Sequence, residues 1–336
     1  MSRKHIGVIY TGGTIGMAMT PQGYAPMPDF VSVLSRLLGQ HGDMLPRHSL
    51  YAYDDPIDST NATPQDWQRL GRDIAARYGD HDGFVVLHGT DTMAYTASAL
   101  SFMLQGLRKP VIVTGSQVPL AAPRSDAAQN LITALQLAAS DAISEVAICF
   151  HGRLLRGNRS TKVSASRMEA FDTPCYPHLA EIGIEPRLNA SALLARPARE
   201  NFQLPDYDDA LILPLRFVPG MPMRAVEALL ALKPRAVILE CYGSGNAPDR
   251  DPALLRMLAH ASAEGTVLAA RSQCLHGEVH IGTYAAGAGM TAAGVVGARD
   301  MSFEAVFTKL HHLFALGLTP EEVRGALVRD VCGEVS

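Results

Sequence analysis

The chain has 336 residues, a length that corresponds to about two domains of ~150 residues each. Hydrophobic residues make up 47% of the chain and charged residues 18%, a balance that excludes an intrinsically disordered protein. The formal net charge is −4, so the composition indicates neither a nucleic-acid-binding protein nor a polybasic membrane-binding protein.

The cysteines indicate a reducing compartment. Their number is odd and no Cys-x-x-Cys pair or zinc-like Cys/His spacing occurs, so neither a disulfide framework nor a metal centre is predicted. The N-terminus runs straight into a strand-like segment, without the apolar stretch of about 7–15 residues that a secretory signal peptide needs. We therefore expect a cytoplasmic protein. The five cysteines are Cys149, Cys175, Cys241, Cys274 and Cys332.

Short apolar runs rich in Val and Ile predict strands, and longer amphipathic runs predict helices. The first helix has a clear start, with Thr63 as N-cap, Pro64 at the first position and Asp66 at the third. Thr319 caps the last helix in the same way. In chain order the predicted elements are strand His5–Tyr10, helix Asp66–Tyr78, strand Gly83–Leu87, helix Thr96–Met103, strand Val111–Val113, helix Ala127–Ser140, strand Val146–Phe150, strand Leu211–Leu215, helix Met223–Leu232, strand Ala236–Glu240, helix Pro252–Glu264, strand Thr266–Ala270, strand Gly294–Val296, helix Glu304–Leu316 and helix Pro320–Val331.

Residues 280–298 carry no formal charge, which raises the question of a membrane span. Five glycines interrupt this stretch, and it is rich in Ala rather than Leu. That composition favours a small-residue loop and helix in a packed interior over a transmembrane helix.

The alternation of strands and helices predicts an α/β protein with mainly parallel sheets flanked by helices. A composition break without clear periodicity covers residues 189–209. We therefore predict a larger N-terminal catalytic domain over residues 1–188, a linker over 189–209, and a smaller C-terminal domain over 210–336.

Two polar loops directly follow predicted strands. The first runs from Tyr10 to Met17 with the sequence YTGGTIGM, and its glycines allow backbone to approach a ligand closely. The second runs from His88 to Met93 with the sequence HGTDTM. Open α/β sheets bind ligands at the carboxyl ends of their strands, so the two loops together indicate a site. Taken singly, the first is equally consistent with an ordinary turn and the second with a helix N-cap.

A third polar segment, RGNRSTK, runs from Arg156 to Lys162. Lys162 is a candidate base, and a solvated surface lysine is the alternative. No phosphate loop, Gly-x-Ser-x-Gly elbow or His-Glu-x-x-His metal motif is present.

Together these motifs resemble the bacterial cytoplasmic type I L-asparaginases. The first two loops are similar to the two signatures of that family, the second extending to Leu100. The resemblance covers nearly the whole chain and is weakest over about 187–215. Further family-like segments are Thr114–Gln117, Arg124–Asp126, Arg156–Arg159 and Tyr242–Pro248.

The resemblance implies hydrolysis of L-asparagine to L-aspartate and ammonia through a threonine acyl-enzyme. By position, Thr14 matches the nucleophile of the family. Thr90, Asp91 and Lys162 match its second hydroxyl–carboxylate–lysine group, and Tyr24 matches the tyrosine that closes over the site. A hydroxyl nucleophile needs a base to take its proton, and we expect Lys162 to act through the Thr90 hydroxyl as a relay.

The resemblance also implies the groups that bind the substrate. Ser59 would hold the α-carboxylate and Asp91 the α-ammonium group, and Ser116 lies in the matching strand-end loop. Thr60 and Thr90 are further candidates. Asn246 would reach the site of a neighbouring subunit, because family sites form at a dimer interface. The implied assembly is therefore a homodimer or a dimer of dimers, without metal or organic cofactor.

The chain departs from the family pattern at two places. After Ser59 the family often has Asp-Met, whereas this chain reads Thr60-Asn61-Ala62. Some cytoplasmic members bind asparagine as an effector through a Thr, a Cys and an Arg. Thr161 and Cys274 match two of these positions, but Glu240 stands where the Arg is expected. A carboxylate there would repel the effector carboxylate, so asparagine activation is not expected.

Two other functions remain as alternatives to the asparaginase. One is an amidotransferase subunit that supplies ammonia to a tRNA-bound substrate, which would require an additional N-terminal domain. The other is a non-catalytic amino-acid sensor on the same scaffold. Weak or no glutamine hydrolysis is expected. Glutamine has one methylene more than asparagine, and such a difference changes the discrimination between two substrates by only ~1–3 kcal/mol.

Overall fold

The computed structural model describes residues 3–248, 250, 252–281 and 285–336. The chain divides into two compact units, Met1–Leu204 and Pro205–Ser336. The division falls inside the segment 189–209, but residues up to Leu204 pack with the first unit. The Asn201 N–H donates to the Gln105 carbonyl (2.9 Å), and the Gln203 N–H donates to the Met103 carbonyl (2.7 Å).

The first unit contains strands β1 to β12 and helices α1 to α4. Its strands are β1 His5–Gly12, β2 Met17–Thr20, β3 Gly23–Pro26, β4 Arg47–Ile57, β5 Gly83–Leu87, β6 Val111–Thr114, β7 Val146–Phe150, β8 Arg153–Arg156, β9 Thr161–Lys162, β10 Phe171–Asp172, β11 Ala180–Ile182 and β12 Pro186–Leu188. Its helices are α1 Phe30–Gly39, α2 Pro64–Arg77, α3 Met93–Met103 and α4 Ala127–Ala138.

Eight of these strands form one sheet in the order β12-β11-β8-β7-β6-β5-β1-β4. The pairings from β4 to β7 are parallel, and β8, β11 and β12 add antiparallel pairings at one side. All residues of β5, β6 and β7 are buried, as expected for parallel strands that are covered on both faces.

The second unit is a four-stranded parallel sheet in the order β13-β14-β15-β16. Alternate residues of β14 enter two different apolar clusters: Ile238 packs with Leu310, and Leu239 with Val226 and Leu258. The strands are β13 Ile212–Arg216, β14 Ala236–Cys241, β15 Val267–Ser272 and β16 Val295–Gly297. The helices are α5 Met223–Ala231, α6 Pro252–Ala263, α7 Ala285–Ala292, α8 Phe303–Ala315 and α9 Pro320–Leu327.

The predicted α/β class with mainly parallel sheets is confirmed, and every predicted strand and helix is present. Strands β5 and β7 have the predicted ends, and the ends of the other elements are shifted. The Thr63 N–H donates to Asp66 (2.7 Å), as the predicted cap requires. Residues 282–284 of the glycine-rich stretch lie outside the described residues, and α7 and β16 follow them. Among the described residues, no helix is long and apolar enough to cross a membrane.

The last helix is shorter than predicted, because it ends at Leu327 and not at Val331. A helix that continued to Val331 would pair the Val331 N–H with the Leu327 carbonyl. Here the Val331 N–H donates to Glu334 Oε1 (3.0 Å), and the Leu327 carbonyl accepts from the buried Lys309 Nζ (2.9 Å). Helix α1, the edge strand β4 and the short strands β2, β3 and β8 to β12 were not predicted.

Candidate active site

The carboxyl ends of β1, β5 and β6 lie side by side. Tyr10 of β1 pairs with Leu87 of β5, and Leu87 pairs with Thr114 of β6. The loops that follow therefore emerge at one edge of the sheet, where a parallel sheet places its ligands. These loops carry Thr14, Thr90 and Ser116, three of the predicted site residues.

Two glycines allow the first two loops to touch. Gly13 has φ +91°, and a Cβ at this position would lie 2.4 Å from both the Gly89 nitrogen and the Gly89 Cα. A Cβ on Gly89 would lie 2.4 Å from Ser59 Oγ. Such distances exclude any side chain at either position, so glycine is required for the approach of the two backbones. The Thr14 and Thr90 loops are in direct contact as a result.

Thr14 begins a short 3₁₀ turn that ends at Gly16 and is closed by a bond from the Gly16 N–H to the Gly13 carbonyl (3.1 Å). Its side chain is half-buried. The same turn supports a neighbouring loop, because the Leu120 N–H donates to the Ile15 carbonyl (3.2 Å). This turn thus presents the hydroxyl that the family resemblance predicts to be the nucleophile.

Thr90, Asp91 and Lys162 form a hydrogen-bonded group. Lys162 Nζ lies 2.9 Å from Thr90 Oγ1 and 2.7 Å from Asp91 Oδ1. Thr90 is buried, whereas the Lys162 side chain is 21% and the Asp91 side chain 54% exposed. The cluster therefore has a buried hydroxyl at its base and a carboxylate that remains accessible to a ligand.

Ser59 lies in a 3₁₀ turn, Ser59–Asn61, that joins the cluster from the end of β4. It is buried, and its carbonyl accepts from the Thr92 hydroxyl (2.8 Å). The Asp58 carboxylate stabilises the turn by accepting from the Thr60 hydroxyl (2.8 Å) and from Asn61 Nδ2 (3.0 Å). The Thr60 hydroxyl is thus engaged within its own turn, and Asn61 keeps a local bond without a charge.

Ser116 is fully buried, and its Oγ has no hydrogen-bond partner among the described residues. An unpaired buried hydroxyl costs free energy unless a ligand or water satisfies it. Asp126 fixes the loop by accepting from the N–H groups of Gln117 and Val118 (both 3.0 Å). Asn130 adds a bond from Nδ2 to the Gly115 carbonyl (3.0 Å).

Asp126 and Asn130 are supporting residues that we did not predict individually. The spacing from Asp126 to Asn130 on α4 was the available signal, because residues four apart lie on one helix face.

His88 supports the Thr90 loop from the interior. Burial lowers the pKa of this histidine, and both ring nitrogens have partners. Nδ1 lies 2.8 Å from the Gly89 carbonyl, so it carries the proton, and Nε2 lies 3.0 Å from the Thr96 hydroxyl. The neutral ring therefore fixes the loop without adding charge beneath Thr90 and Asp91.

Two predicted site residues lie outside this cluster. Tyr24 is 51% exposed on the hairpin of β2 and β3, opposite Met19, and makes no hydrogen bond to Thr14, Thr90 or Lys162. Asn246 belongs to the second unit, where its N–H donates to the Tyr242 carbonyl and its own carbonyl accepts from the Tyr242 N–H (both 2.8 Å). Its side chain is exposed.

Family models match both units. "Asparaginase, N-terminal" matches residues 5–194, and "Glutaminase/Asparaginase C-terminal domain" matches residues 212–327. The chain belongs to the asparaginase family. The family resemblance and the expectation of an amidohydrolase of this family are thereby confirmed.

Relatives of this family member share its full length. It is 44% identical to L-asparaginase 1 of Escherichia coli strain K12, over 100% of this chain and 99% of that protein. It is 36% identical to the 60 kDa lysophospholipase of Homo sapiens, over 99% of this chain and 62% of that longer protein.

Solved structures give the same result. L-asparaginase I from Vibrio cholerae superposes with a TM-score of 0.92 at 42% identity, covering 100% of both chains. The thermostable L-asparaginase from Thermococcus kodakarensis superposes with a TM-score of 0.88 at 31% identity, covering 99% of both chains.

Proposed function

We propose that this asparaginase-family enzyme hydrolyses L-asparagine to L-aspartate and ammonia through an acyl-enzyme on Thr14. The observation that carries the proposal is the Lys162–Thr90–Asp91 cluster in contact with the Thr14 loop. It combines a nucleophilic hydroxyl, a second hydroxyl bonded to a lysine, and a carboxylate at one sheet edge. The relatives named as L-asparaginases support the choice of substrate.

In the first half-reaction the Thr14 oxygen attacks the side-chain amide carbon of asparagine. The hydroxyl proton passes towards Thr90 and Lys162 and then to the leaving nitrogen, so ammonia departs and an ester to Thr14 remains. Water attacks that ester in the second half-reaction, and aspartate leaves as Thr14 regains its proton. Lys162 can accept a proton in this sequence only when its amine is neutral.

An oxyanion forms at the carbonyl oxygen in both half-reactions. Backbone N–H groups of the two touching loops, beside Thr14 and Thr90, are the available donors. One such preplaced donor contributes ~3–4 kcal/mol to transition-state stabilisation in comparable sites. The contact between Gly13 and Gly89 fixes the spacing of the two donor loops before substrate binds.

The two charged ends of the substrate have separate partners. The exposed Asp91 carboxylate is available for the α-ammonium group, and Ser59 lies beside the same loop for the α-carboxylate. Thr60 is the weaker candidate for this role, because its hydroxyl is bonded to Asp58. Ser116 offers the unpaired hydroxyl described above, and Tyr24 would cover the site only after its hairpin moves.

We further propose that the active form is a cytoplasmic homodimer or dimer of dimers, with Asn246 contributing to the site of a neighbouring subunit. The reaction as written uses only protein groups and water, and weak or no glutamine hydrolysis is expected. Among the described residues no cluster of three or more His, Cys, Asp or Glu side chains is arranged to hold a metal ion.

Ammonia release from L-asparagine and L-glutamine tests the proposal. Wild type is expected to act on asparagine, and Thr14→Ala and Thr90→Ala are expected to remove nearly all activity. Ser35→Ala is the control, because that exposed hydroxyl bonds only to the Val31 carbonyl of its own helix (2.8 Å). Asparagine binding without ammonia release would instead favour a sensor. Ammonia release that requires a partner protein would favour an amidotransferase subunit.

A further inference from the structure

The lysine of the site is carried by a very short hairpin. Strands β9 and β10 have two residues each, with Lys162 opposite Phe171 and Thr161 opposite Asp172. A two-stranded hairpin of this length is not stable by itself. The position of Lys162 Nζ therefore depends on whatever fixes β10 to the rest of the unit.

Phe171 provides an apolar anchor on the face that it shares with Lys162. It is 2% exposed, and its ring lies in an edge contact with Phe150 of β7, with 5.1 Å between centroids. This contact is insensitive to pH. It holds β10 against the sheet at one point, which still leaves the hairpin free to rock about that point.

Asp172 provides a polar anchor on the opposite face. Its Oδ1 lies 2.8 Å from His178 Nε2 and accepts from the Thr173 N–H (2.9 Å). His178 is itself tied to the sheet, because the N–H of the next residue, Leu179, donates to the Leu154 carbonyl of β8 (2.8 Å). A continuous path of contacts thus runs from β8 through His178 and Asp172 to the β9–β10 hairpin.

The charges around Asp172 favour its ionised form. Burial acts against ionisation, but the hydrogen bonds from His178 and the Thr173 N–H and the positive charges of His178 and Arg153 outweigh it and lower the pKa of Asp172. Asp172 is therefore anionic throughout the neutral range. The hydrogen bonds that the carboxylate makes with His178 and the Thr173 N–H are therefore charge-assisted, and such bonds are roughly twice as strong as neutral ones.

We infer that Asp172 and His178 are positioning residues for the reaction, which brace the β9–β10 hairpin so that Lys162 Nζ stays within hydrogen-bonding distance of Thr90. This inference rests on the role proposed above for Lys162. Neither residue touches the reacting atoms, so their contribution to catalysis passes through the position of Lys162 Nζ.

The test is the kinetics of wild type, Asp172→Asn, His178→Gln and the double variant on L-asparagine. We expect each single variant to lower kcat about three- to tenfold with KM changed little, because Lys162 is displaced while the groups that bind the substrate stay in place. Since the two residues act as a pair, the double variant is expected to be no worse than either single variant.

A merely structural role would lower the folded fraction without lowering kcat per folded molecule, or would raise KM as well, and either result would overturn the inference. His260→Gln is the matched control, because its ring lies 3.6 Å from Glu264 in an exposed pair on one helix of the second unit. It is expected to leave kcat and KM unchanged. If Asp172→Asn does not fold, His178→Gln answers the same question.

Adding Asp172→Asn to Lys162→Met separates the inference from the proposed function. If Asp172 acts through Lys162, Asp172→Asn lowers the residual rate of Lys162→Met no further. An additional three- to tenfold loss would overturn the inference alone. Undiminished activity of Lys162→Met would remove the proposed role of the lysine, and the inference with it.

Discussion

Two lysines of this chain form short ion pairs in very different surroundings. Lys309 in the second unit is fully buried and donates to Glu334 (2.5 Å) as well as to the Leu327 and Arg329 carbonyls. Lys162 in the first unit is partly exposed and is bonded to one hydroxyl and one carboxylate. The first lysine has every proton engaged by a fixed acceptor, so it stabilises structure. The second faces a hydroxyl, so it is placed for proton transfer.

The largest expected effect comes from replacing the exposed lysine. Lys162→Met should lower kcat by about 10²–10⁴-fold, the usual contribution of a general base. The free energy of unfolding should change by less than about 1 kcal/mol, because the Asp91 side chain is 54% exposed and stays solvated without the lysine. Ammonia release measures kcat, and urea unfolding measures the free energy of unfolding. If Lys162→Met loses stability but keeps its turnover, Lys162 has the structural role that we assign to Lys309.

Replacing the buried lysine should have the opposite result. Lys309→Met leaves Glu334 buried without its cation, and breaking such a pair costs about 3–5 kcal/mol of stability. Turnover per folded molecule should stay close to that of wild type. Lys233→Met is the control, because Lys233 lies 3.5 Å from Glu264 in a largely exposed pair. Equal losses of stability in the two variants would contradict the prediction.

Two buried histidines of the second unit make its stability depend on pH. Burial lowers the pKa values of His311 and His312 to about 4, from 6.5 when unfolded. The folded state therefore binds fewer protons than the unfolded state between these values. The free energy of unfolding is therefore highest above pH 6.5, where the rings are neutral in both states, and it decreases as the pH falls towards 4. At pH 5 the decrease is about 2 kcal/mol per histidine.

Urea unfolding at pH 7 and pH 5 measures this dependence. His312 packs with Tyr207, whose hydroxyl lies 3.1 Å from Nδ1. In His312→Gln the difference between the two pH values should be smaller, and in the exposed His260→Gln it should be unchanged. An equal midpoint at pH 5 and pH 7 in wild type would show that the buried rings do not titrate as described.

The smallest expected effect concerns the dependence of rate on asparagine. Glu240 Oε1 lies 3.3 Å from Arg271 Nη1 and 3.5 Å from Arg216 Nη1, one from each neighbouring strand. The two guanidinium groups at this position are thereby paired with Glu240 and not free to bind the carboxylate of an effector. A Hill coefficient of one is expected at low asparagine, and a coefficient clearly above one would show that an effector binds.

The sequence was most informative where a local rule acts alone. The cap at Thr63, the buried strands β5 to β7 and the two strand-end loops each follow from neighbouring residues. Helix α1 was also within reach, because Phe30, Leu34 and Leu38 repeat at four-residue steps and are all buried. Strand β4 was harder to predict, since an edge strand pairs on one side only and lacks a continuous apolar run.

The supports of the site are the part that sequence reasoning missed. Asp126 acts on a loop that precedes it by several residues, and Asp172 meets His178 only because β10 pairs with β9. Asp58 differs from these two, because it acts locally through an Asx-type turn to Thr60, two residues on. The contacts of Asp126 and Asp172 are set by how the loops fold together, which a local pattern does not show.

The contact between Gly13 and Gly89 limits how this enzyme can be redesigned. No residue with a side chain fits between the two loops, so a mutant library that varies either glycine will consist mainly of inactive or unfolded members. Altered substrate range must come from the periphery of the pocket, around Ser59, Ser116 and the hairpin that carries Tyr24. A library directed to those positions keeps the two hydroxyl-bearing backbones in register while changing the shape of the pocket that a substrate meets.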